Sequence, residues 1–135
     1  MTRILTFVAV LLCAMPVLAQ EFSSYEEYQN FLDKKMKNRE FSTVIRDLGG
    51  ADEYTEHQLD RAQAQLRDVV PFYLTDTGII KRVELENGFS QELRGYWNDK
   101  NSYIYFYALL HERDYDFVVV QFYINTSPEE LFTRF

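Results

Sequence analysis

Cysteine and histidine are scarce in this sequence, which has one cysteine and two histidines among its 135 residues. The cysteine, Cys13, lies in an apolar N-terminal run. Such a chain is poorly equipped for disulfides, thiolate catalysis or a zinc centre, and we expect neither a metal nor a cofactor. Basic residues are also outnumbered by acidic ones, 14 against 21, for a formal net charge of −7. Because no basic stripe is present, we expect no nucleic-acid partner.

Residues 1–19 have the three-part pattern of a cleavable secretory signal peptide. Arg3 provides the positive charge, and an apolar stretch follows it. Ala19 ends a cleavage motif whose residues are small or of medium size. The stretch is shorter than the roughly 20 residues that a transmembrane helix needs. We predict cleavage after Ala19, which leaves one cysteine-free domain over residues 20–135 with no membrane attachment. Since small secreted eukaryotic domains usually rely on disulfides, this composition favours the bacterial periplasm.

The first half of the predicted domain has helical periodicity. Ser24 opens a capping box before a helix over 25–37, and Thr55 opens another before a helix that Pro71 ends. A shorter helix over 41–48 lies between them. The sequence therefore predicts three N-terminal helices, each with one apolar side.

The second half changes to a period of two and is rich in valine, isoleucine, phenylalanine and tyrosine. Its turn signals separate four predicted strands, at 79–86, 89–97, 102–111 and 116–125. The sequence leaves open whether residues 72–75 form a short additional strand. The predicted fold class is α+β, with three N-terminal helices packed on one face of a four-stranded antiparallel meander and a short C-terminal helix after Ser127.

The turn lengths predict which side chains share a face of the sheet. A three-residue loop at 86–88 pairs Arg82 with Glu92, and a four-residue loop at 98–101 follows. One face is then aliphatic and forms the floor for the helices, with Val83, Leu85, Phe89, Leu93, Trp97, Ile104, Phe106, Ala108, Leu110, Val118, Val120, Phe122 and Ile124. The other face, which we call the predicted tyrosine face, carries Tyr96, Tyr103, Tyr105, Tyr107, Leu109, Phe117, Val119, Gln121 and Tyr123, bordered by Arg82, Glu84, Glu92 and Arg94.

The predicted tyrosine face is the strongest candidate for a functional surface. Tyrosine combines a broad apolar ring with a polar tip, and a monomer seldom exposes such a large apolar patch. Three interpretations stay open: an interface with a second copy of the chain, a pocket for a small apolar ligand, or a surface that the chain itself covers.

Three charged clusters are weaker candidates. His57 lies among Asp52, Glu53, Glu56 and Asp60, where acidic residues suit the first turn of a helix. A second cluster, residues 111–114, falls in a hairpin turn. The border set of Arg82, Glu84, Glu92 and Arg94 is either an acid–base group or a set of cross-strand ion pairs, and ion pairing is the simpler explanation.

The helical segment 25–70 followed by strands over 79–125 resembles the cone-shaped nuclear-transport-factor-like and cystatin-like domains. The chain is also similar to small exported proteins of Gram-negative bacteria. The first resemblance is architectural and implies helices packed on a curved antiparallel sheet, in a family that includes enzymes, ligand binders and dimerisation modules.

We expect a non-enzymatic periplasmic binding or protein-interaction domain that uses the predicted tyrosine face. A second copy of the chain, an envelope protein or a small apolar ligand is the expected partner. The alternatives are a small hydrolase or isomerase with its pocket on that face, assisted by Glu84, Glu92 or Arg94, and an accessory subunit of an envelope complex.

Overall fold

A computed structural model describes residues 21–50 and 54–135, which form a five-stranded antiparallel sheet with four α-helices. The helices are α1 (Tyr25–Lys37), α2 (Phe41–Ile45), α3 (Glu56–Val69) and α4 (Glu129–Phe132). The strands are β1 (Glu21–Phe22), β2 (Asp76–Glu84), β3 (Phe89–Trp97), β4 (Tyr103–Glu112) and β5 (Phe117–Asn125). The sheet order is β1-β5-β4-β3-β2. The predicted α+β class is confirmed, and the predicted signal peptide lies outside the described residues.

The helix starts follow from their capping residues. The Ser24 hydroxyl accepts a hydrogen bond from the Glu27 N–H at 3.2 Å, as a capping residue does. The Glu27 carboxylate accepts from the Ser23 N–H, one residue earlier than the usual capping box. At α3 both halves of the box are present, between Thr55 and Gln58. After α2 the chain kinks within Arg46–Gly50, where Gly49 has a non-helical φ of 131°.

The sheet differs from the prediction at its N-terminal end. Residues 21 and 22 form a fifth strand, β1, which pairs with Val118 and Phe117 of β5. A strand of two residues is too short to show a periodicity in the sequence, so this pairing had no signal. Residues 72–75 are not a strand, although the Thr75 N–H donates to the Trp97 carbonyl at 3.0 Å just before β2 begins.

The predicted β2–β3 hairpin is confirmed in register. Arg82 pairs with Glu92, and Glu84 pairs with Ser90. The Leu85 N–H donates to the Phe89 carbonyl at 2.9 Å, and Gly88 has a φ of 83°. Such a left-handed residue at the end of a three-residue loop suits glycine.

The predicted loop at 98–101 is one residue too short, and this error mixes the two faces of the sheet. β3 ends at Trp97 and β4 begins at Tyr103, with these two residues paired. The Asn98 side chain fixes the longer turn, because its Oδ1 accepts hydrogen bonds from the N–H groups of Lys100 and Ser102 at 3.0 and 3.2 Å. Asn101 supplies the left-handed residue, with a φ of 62°. A change of one residue in loop length moves every side chain of β3 to the opposite face relative to β4.

The two faces of the sheet therefore hold different residues from those predicted. The inner face, which packs against the helices, carries Glu92, Arg94, Tyr96, Ile104, Phe106, Ala108, Leu110, Phe117 and Val119. The outer face carries Leu93, Trp97, Tyr103, Tyr105, Tyr107 and Tyr123. In β5 a bulge places Val119 opposite Leu110 and Gln121 opposite Leu109, so Val120 is the extra residue. Phe122 and Ile124 keep their predicted side, whereas Val118 and Val120 do not.

The main core lies between the inner face and the helices. Apolar residues of α1 and α2 pack on Phe106 and Ile104, and Tyr28, Leu32 and Met36 supply most of the α1 contribution. A second, smaller core on the outer face contains Leu93, Tyr107 and Leu131. The helices therefore divide between the two faces, with α4 alone on the outer one.

Candidate functional site

A network of charged and polar side chains lies buried between α1 and the inner face. Glu92 is 1% exposed and Arg94 is 3% exposed. The Arg94 Nε–H donates to Glu92 Oε1 at 2.7 Å, and an Arg82 Nη1–H donates to Glu92 Oε2 at 2.5 Å. The Tyr25 hydroxyl also donates to Glu92 Oε2, at 2.7 Å. One buried carboxylate is thus shared by two guanidinium groups and a phenol.

Helix α1 supplies a polar stripe that matches this strand. Tyr25, Gln29 and Asp33 are spaced by four residues, so they lie on one side of the helix. Arg94 Nη2 donates to the Tyr25 hydroxyl and to Gln29 Oε1, both at 2.7 Å. The Tyr96 hydroxyl donates to Asp33 Oδ1 at 2.6 Å. Alternate residues of β3 therefore meet every fourth residue of α1.

The electrostatics fix the charge states in this network. Burial raises the pKa of Tyr96 well above its ordinary value of 10.0, and Asp33 raises it further. Burial acts to lower the pKa of Arg94, but Glu92 and the other acidic neighbours outweigh it and the pKa rises. Burial and the contact with Glu92 raise the pKa of Tyr25. The arginine stays cationic and both tyrosines stay neutral at physiological pH.

The network has the character of structural ion pairing. Both oxygens of the Glu92 carboxylate accept hydrogen bonds, and a residue with 1% of its surface exposed does not meet a substrate in this arrangement. Glu84 lies at the rim with 71% of its side chain exposed, bonded to Arg82 Nε at 2.7 Å. All four predicted border residues are on the helix-covered face, away from the tyrosines of the outer face. A buried pair with complete hydrogen bonding is a common structural device.

The predicted tyrosine face is divided by the fold. Tyr96 and Phe117 lie in the main core, under the helices. Tyr105, Tyr107 and Tyr123 remain together on the outer face, and Tyr103 is 46% exposed at its end. The C-terminal residues lie across the centre of that outer group. Leu131 packs against Tyr107, and the Phe135 ring meets the Tyr107 ring edge-on at 5.3 Å.

Polar bonds fasten the C-terminal residues over the outer face. Gln91 Nε2 donates to the Arg134 carbonyl at 2.8 Å and to the Tyr107 hydroxyl at 2.9 Å. The Arg134 guanidinium lies 4.0 Å from the centre of the Tyr123 ring. This contact adds a cation–π attraction at an exposed site. The largest part of the outer tyrosine group is therefore occupied by the chain itself.

A large open groove separates α3 from β5. Its volume is about 1010 Å³, at the upper end of the usual range for a ligand site. One wall is the apolar side of α3, with Leu59, Ala62, Leu66 and Val69. Residues 120–126 of β5 and the following turn form the other wall. Of the α3 residues only Leu59 is fully buried, and Val69 is 58% exposed.

Polar bonds to α2 and to the loop before it hold α3 in this position. Gln63 Oε1 accepts from the Ser42 N–H at 2.8 Å, and its Nε2 donates to the Arg39 carbonyl at 2.9 Å. At the N-terminal end Arg46 pairs with Glu56 at 2.9 Å. At the other end the Val70 side chain enters the main core. Because these contacts fix the flank and both ends, the helix stays apart from β5 and leaves its apolar side open.

The groove carries no charged side chain. Its sixteen lining residues are Ile45, Leu48, Tyr54, Gln58, Leu59, Ala62, Gln65, Leu66, Val69, Val120, Gln121, Phe122, Tyr123, Ile124, Asn125 and Thr126. In a chain with 26% charged residues, a lining of this size without one is unusual. Amide and hydroxyl groups provide the polar contacts instead. Such a surface can bind an uncharged apolar molecule and orient it with hydrogen bonds.

The histidine clusters do not assemble into a site among the described residues. His57 and Asp60 lie exposed on α3, Glu56 pairs with Arg46, and Asp52 and Glu53 fall outside the described residues. His111 Nε2 contacts the Asn87 carbonyl at 3.0 Å, and its ring stacks on Phe89. Within residues 21–50 and 54–135 no group of three or more ligating side chains is placed to hold a metal ion.

The groove was not recognisable from the sequence. The apolar residues of α3 have the spacing of an ordinary core-facing stripe, and this pattern is the same whether the stripe is covered or open. Only Tyr123 and Gln121 were both on the predicted tyrosine face and in the groove lining. The available signal was the run of residues 117–126 without a charge, which marks β5 as unusual for a strand near the end of a sheet.

Comparison with family models, curated proteins and solved structures finds no match for this chain. Among the described helices none is long and apolar enough to cross a membrane.

Proposed function

We propose that this chain is a non-enzymatic binding domain of the bacterial periplasm, and that the groove between α3 and β5 takes an uncharged apolar ligand. The observation that carries the proposal is the groove of about 1010 Å³ with no charged residue in its lining. Exposed apolar surface of this extent is costly in water, so its retention favours a binding role.

The contrast with the buried ion network supports a binding role over an enzymatic one. Catalysis needs titratable or nucleophilic groups that reach the substrate. In the described part of the chain, Glu92 and Arg94 are enclosed under α1, whereas the groove offers only Gln, Asn, Thr and Tyr as polar side chains. These groups can orient a ligand through hydrogen bonds.

A neutral fluorescent probe tests the groove directly. Nile red is uncharged and its emission rises in an apolar site, so we expect saturable binding to the purified protein. Ala62→Phe places a large ring inside the groove and should weaken binding about tenfold or more. Ala64 lies exposed on another side of the same helix and outside the lining, so Ala64→Phe is the matched control.

Equal binding by the two variants would contradict this location of the site. Thermal unfolding of both variants shows that they are folded, which separates a blocked groove from an unfolded protein. If Nile red binds the wild-type protein no more tightly than it binds a control globular protein, the proposal itself is overturned.

Export to the periplasm needs a separate experiment. When the full chain is expressed in a bacterial host, we expect it in the periplasmic fraction with Gln20 as its N-terminal residue. Replacing Ala19 by a bulky residue, Ala19→Phe, should block cleavage, because the position before the cut requires a small side chain. Recovery of uncleaved chain in the cytoplasm would contradict this part of the proposal.

The second candidate function is binding of a protein partner. An envelope protein or a second copy of this chain would find exposed aromatic rings at Tyr103 and Tyr115, which are 46% and 96% exposed. Light scattering on the purified protein distinguishes a dimer from a monomer, and Tyr103→Glu should then separate the dimer.

A further inference from the structure

We infer that the ligand of the α3–β5 groove is an extended, uncharged peptide segment that joins the sheet as an additional strand beside β5. This inference rests on the proposed function and specifies the ligand. Three observations carry it: which part of β5 faces the groove, where β1 begins, and how the two edges of the sheet differ.

The groove is lined by the edge of β5 as well as by one of its faces. Successive residues of a strand point to opposite faces, so a pocket on one face touches every second residue. Here every residue from 120 to 126 lines the groove. The groove therefore runs along the side of the strand, where the backbone N–H and C=O groups of an edge strand point.

A strand position beside β5 is already started by β1. Glu21 pairs with Val118, and Phe22 pairs with Phe117. Among the described residues no strand continues this position along residues 119–125, although β4 pairs with the opposite side of β5 up to Asn125. The groove thus lies in line with the start of β1. In the mature chain that we propose, residues 1–19 are removed, which leaves this line free for a separate peptide.

The other edge of the sheet is protected against such pairing. β2 has an irregularity between Ile79 and Lys81 that breaks the regular ladder. Lys81, Arg82 and Glu84 place charges along it, and the Lys81 ammonium lies over the Phe135 ring at 4.4 Å. Bulges and charges are the usual means by which edge strands avoid unwanted partners. Residues 120–126 have no charge, and α3 forms the opposite wall of the groove.

A peptide satisfies both properties of this groove. Its backbone can pair with the edge of β5, and its alternate apolar side chains can lie against Leu59, Leu66 and Phe122. A lipid or another apolar molecule would fill the apolar part and leave the backbone groups of β5 without partners. The absence of charge in the lining favours a segment without lysine, arginine, aspartate or glutamate.

A capped heptapeptide, acetyl-Leu-Ser-Leu-Ser-Leu-Ser-Leu-amide, is the probe for the test. It has the length of the open part of β5. Its alternating sequence fixes the register of pairing, because the leucines face the groove and the serines face away. We expect it to displace Nile red from the protein. Two modified peptides decide between strand addition and simple apolar contact: one is N-methylated on its three serines, and the other on its last three leucines.

In antiparallel pairing only alternate residues direct their N–H groups at the neighbouring strand. One methylated peptide should therefore bind about tenfold more weakly or worse, while the other keeps its affinity. Hydrogen exchange of alternate β5 amides should slow only with the peptides that bind. Equal affinities of the two methylated peptides, or a heptapeptide that fails to displace bound Nile red, would overturn strand addition and leave the apolar groove intact. Absence of Nile red binding itself is the failure of the proposed function.

Discussion

The helices α1 and α3 differ in how they meet the sheet. α1 covers β3 and β4 closely, buries Tyr28, Leu32 and Met36, and adds a stripe of polar residues that complete the network around Glu92. α3 buries only Leu59 and faces β5 across an open groove. Both helices are amphipathic and both begin at a well-formed cap. Capping and amphipathic pattern therefore determine that a helix forms, while its partners determine whether its apolar side is covered.

Under the proposed function, the difference assigns stability to α1 and binding to α3. A covered helix with a satisfied polar network tolerates little change. Removing one group leaves its buried partner without a hydrogen bond in a low-dielectric interior. A helix held at one flank and at its ends can keep an apolar side available for a ligand. The following predictions test this division, beginning with the largest expected effect.

Glu92→Gln should be the most destabilising of these changes. It leaves the buried Arg94 guanidinium without its carboxylate partner, and loss of one member of a buried ion pair costs about 3–5 kcal/mol. Arg82 pairs with both Glu92 and Glu84, and Glu84 lies at the exposed rim. Glu84→Gln therefore removes an exposed carboxylate and should cost less than about 1 kcal/mol. Urea denaturation measures both. Similar losses for the two variants would show that the network is not a buried structural element.

Two adjacent valines compare the covered and open regions with the same chemical change. Val70→Ala removes two methyl groups from the main core and should lower the free energy of unfolding by about 2 kcal/mol. Val69 is 58% exposed in the groove wall, so Val69→Ala should lower it by less than about 0.5 kcal/mol. Urea denaturation again provides the values. If Val69→Ala proved as costly as Val70→Ala, the groove would not be open in solution.

Two buried tyrosines compare a satisfied with an unsatisfied hydroxyl. The Tyr96 hydroxyl donates to Asp33, so Tyr96→Phe should cost about 1–2 kcal/mol. The Tyr28 hydroxyl has no hydrogen-bond partner among the described residues, so Tyr28→Phe should be neutral or stabilising. Thermal unfolding of the two variants tests this order. A clear loss of stability in Tyr28→Phe would mean that its hydroxyl has a partner in solution.

The same tyrosines predict a loss of stability in alkali. Burial raises the pKa of Tyr28 and of Tyr96 well above 10.0, so the folded chain keeps both protonated while the unfolded chain ionises. Their contribution is complete below pH 10 and declines as the pH rises beyond it. At half a pH unit above 10, the loss is about 0.8 kcal/mol for each tyrosine. Denaturation at a series of pH values checks this slope, and Tyr28→Phe should reduce it.

Local sequence signals predicted the elements well. The hydroxyls of Ser24 and Thr55 cap helices at the predicted positions, and the loop ending at Gly88 gives the predicted pairing of Arg82 with Glu92. Each of these features depends on residues a few positions apart. Their geometry is set by local hydrogen bonds and by the conformational freedom of glycine, which a sequence displays directly.

The candidate site was less accessible because it depends on relations between distant segments. The side chain of Asn98 fixes a turn that is one residue longer than predicted. That single residue places Glu92 and Arg94 on the helix-covered face instead of the predicted tyrosine face. The bulge at Val120 then changed the faces once more within β5. The groove itself exists because contacts of Gln63 with Ser42 and with the Arg39 carbonyl hold α3 away from β5. No periodicity within α3 records the position of another strand.

The short strand β1 has a consequence for the order of folding. β2 to β5 are joined in sequence by hairpins, which close quickly because each links neighbouring residues. β1 instead joins Phe22 to Phe117, so the chain must close a long loop before this contact forms. Because synthesis begins at the N-terminus, residues 21 and 22 are made early but are ordered late. The first described part of the sequence is therefore the last part of the sheet to assemble.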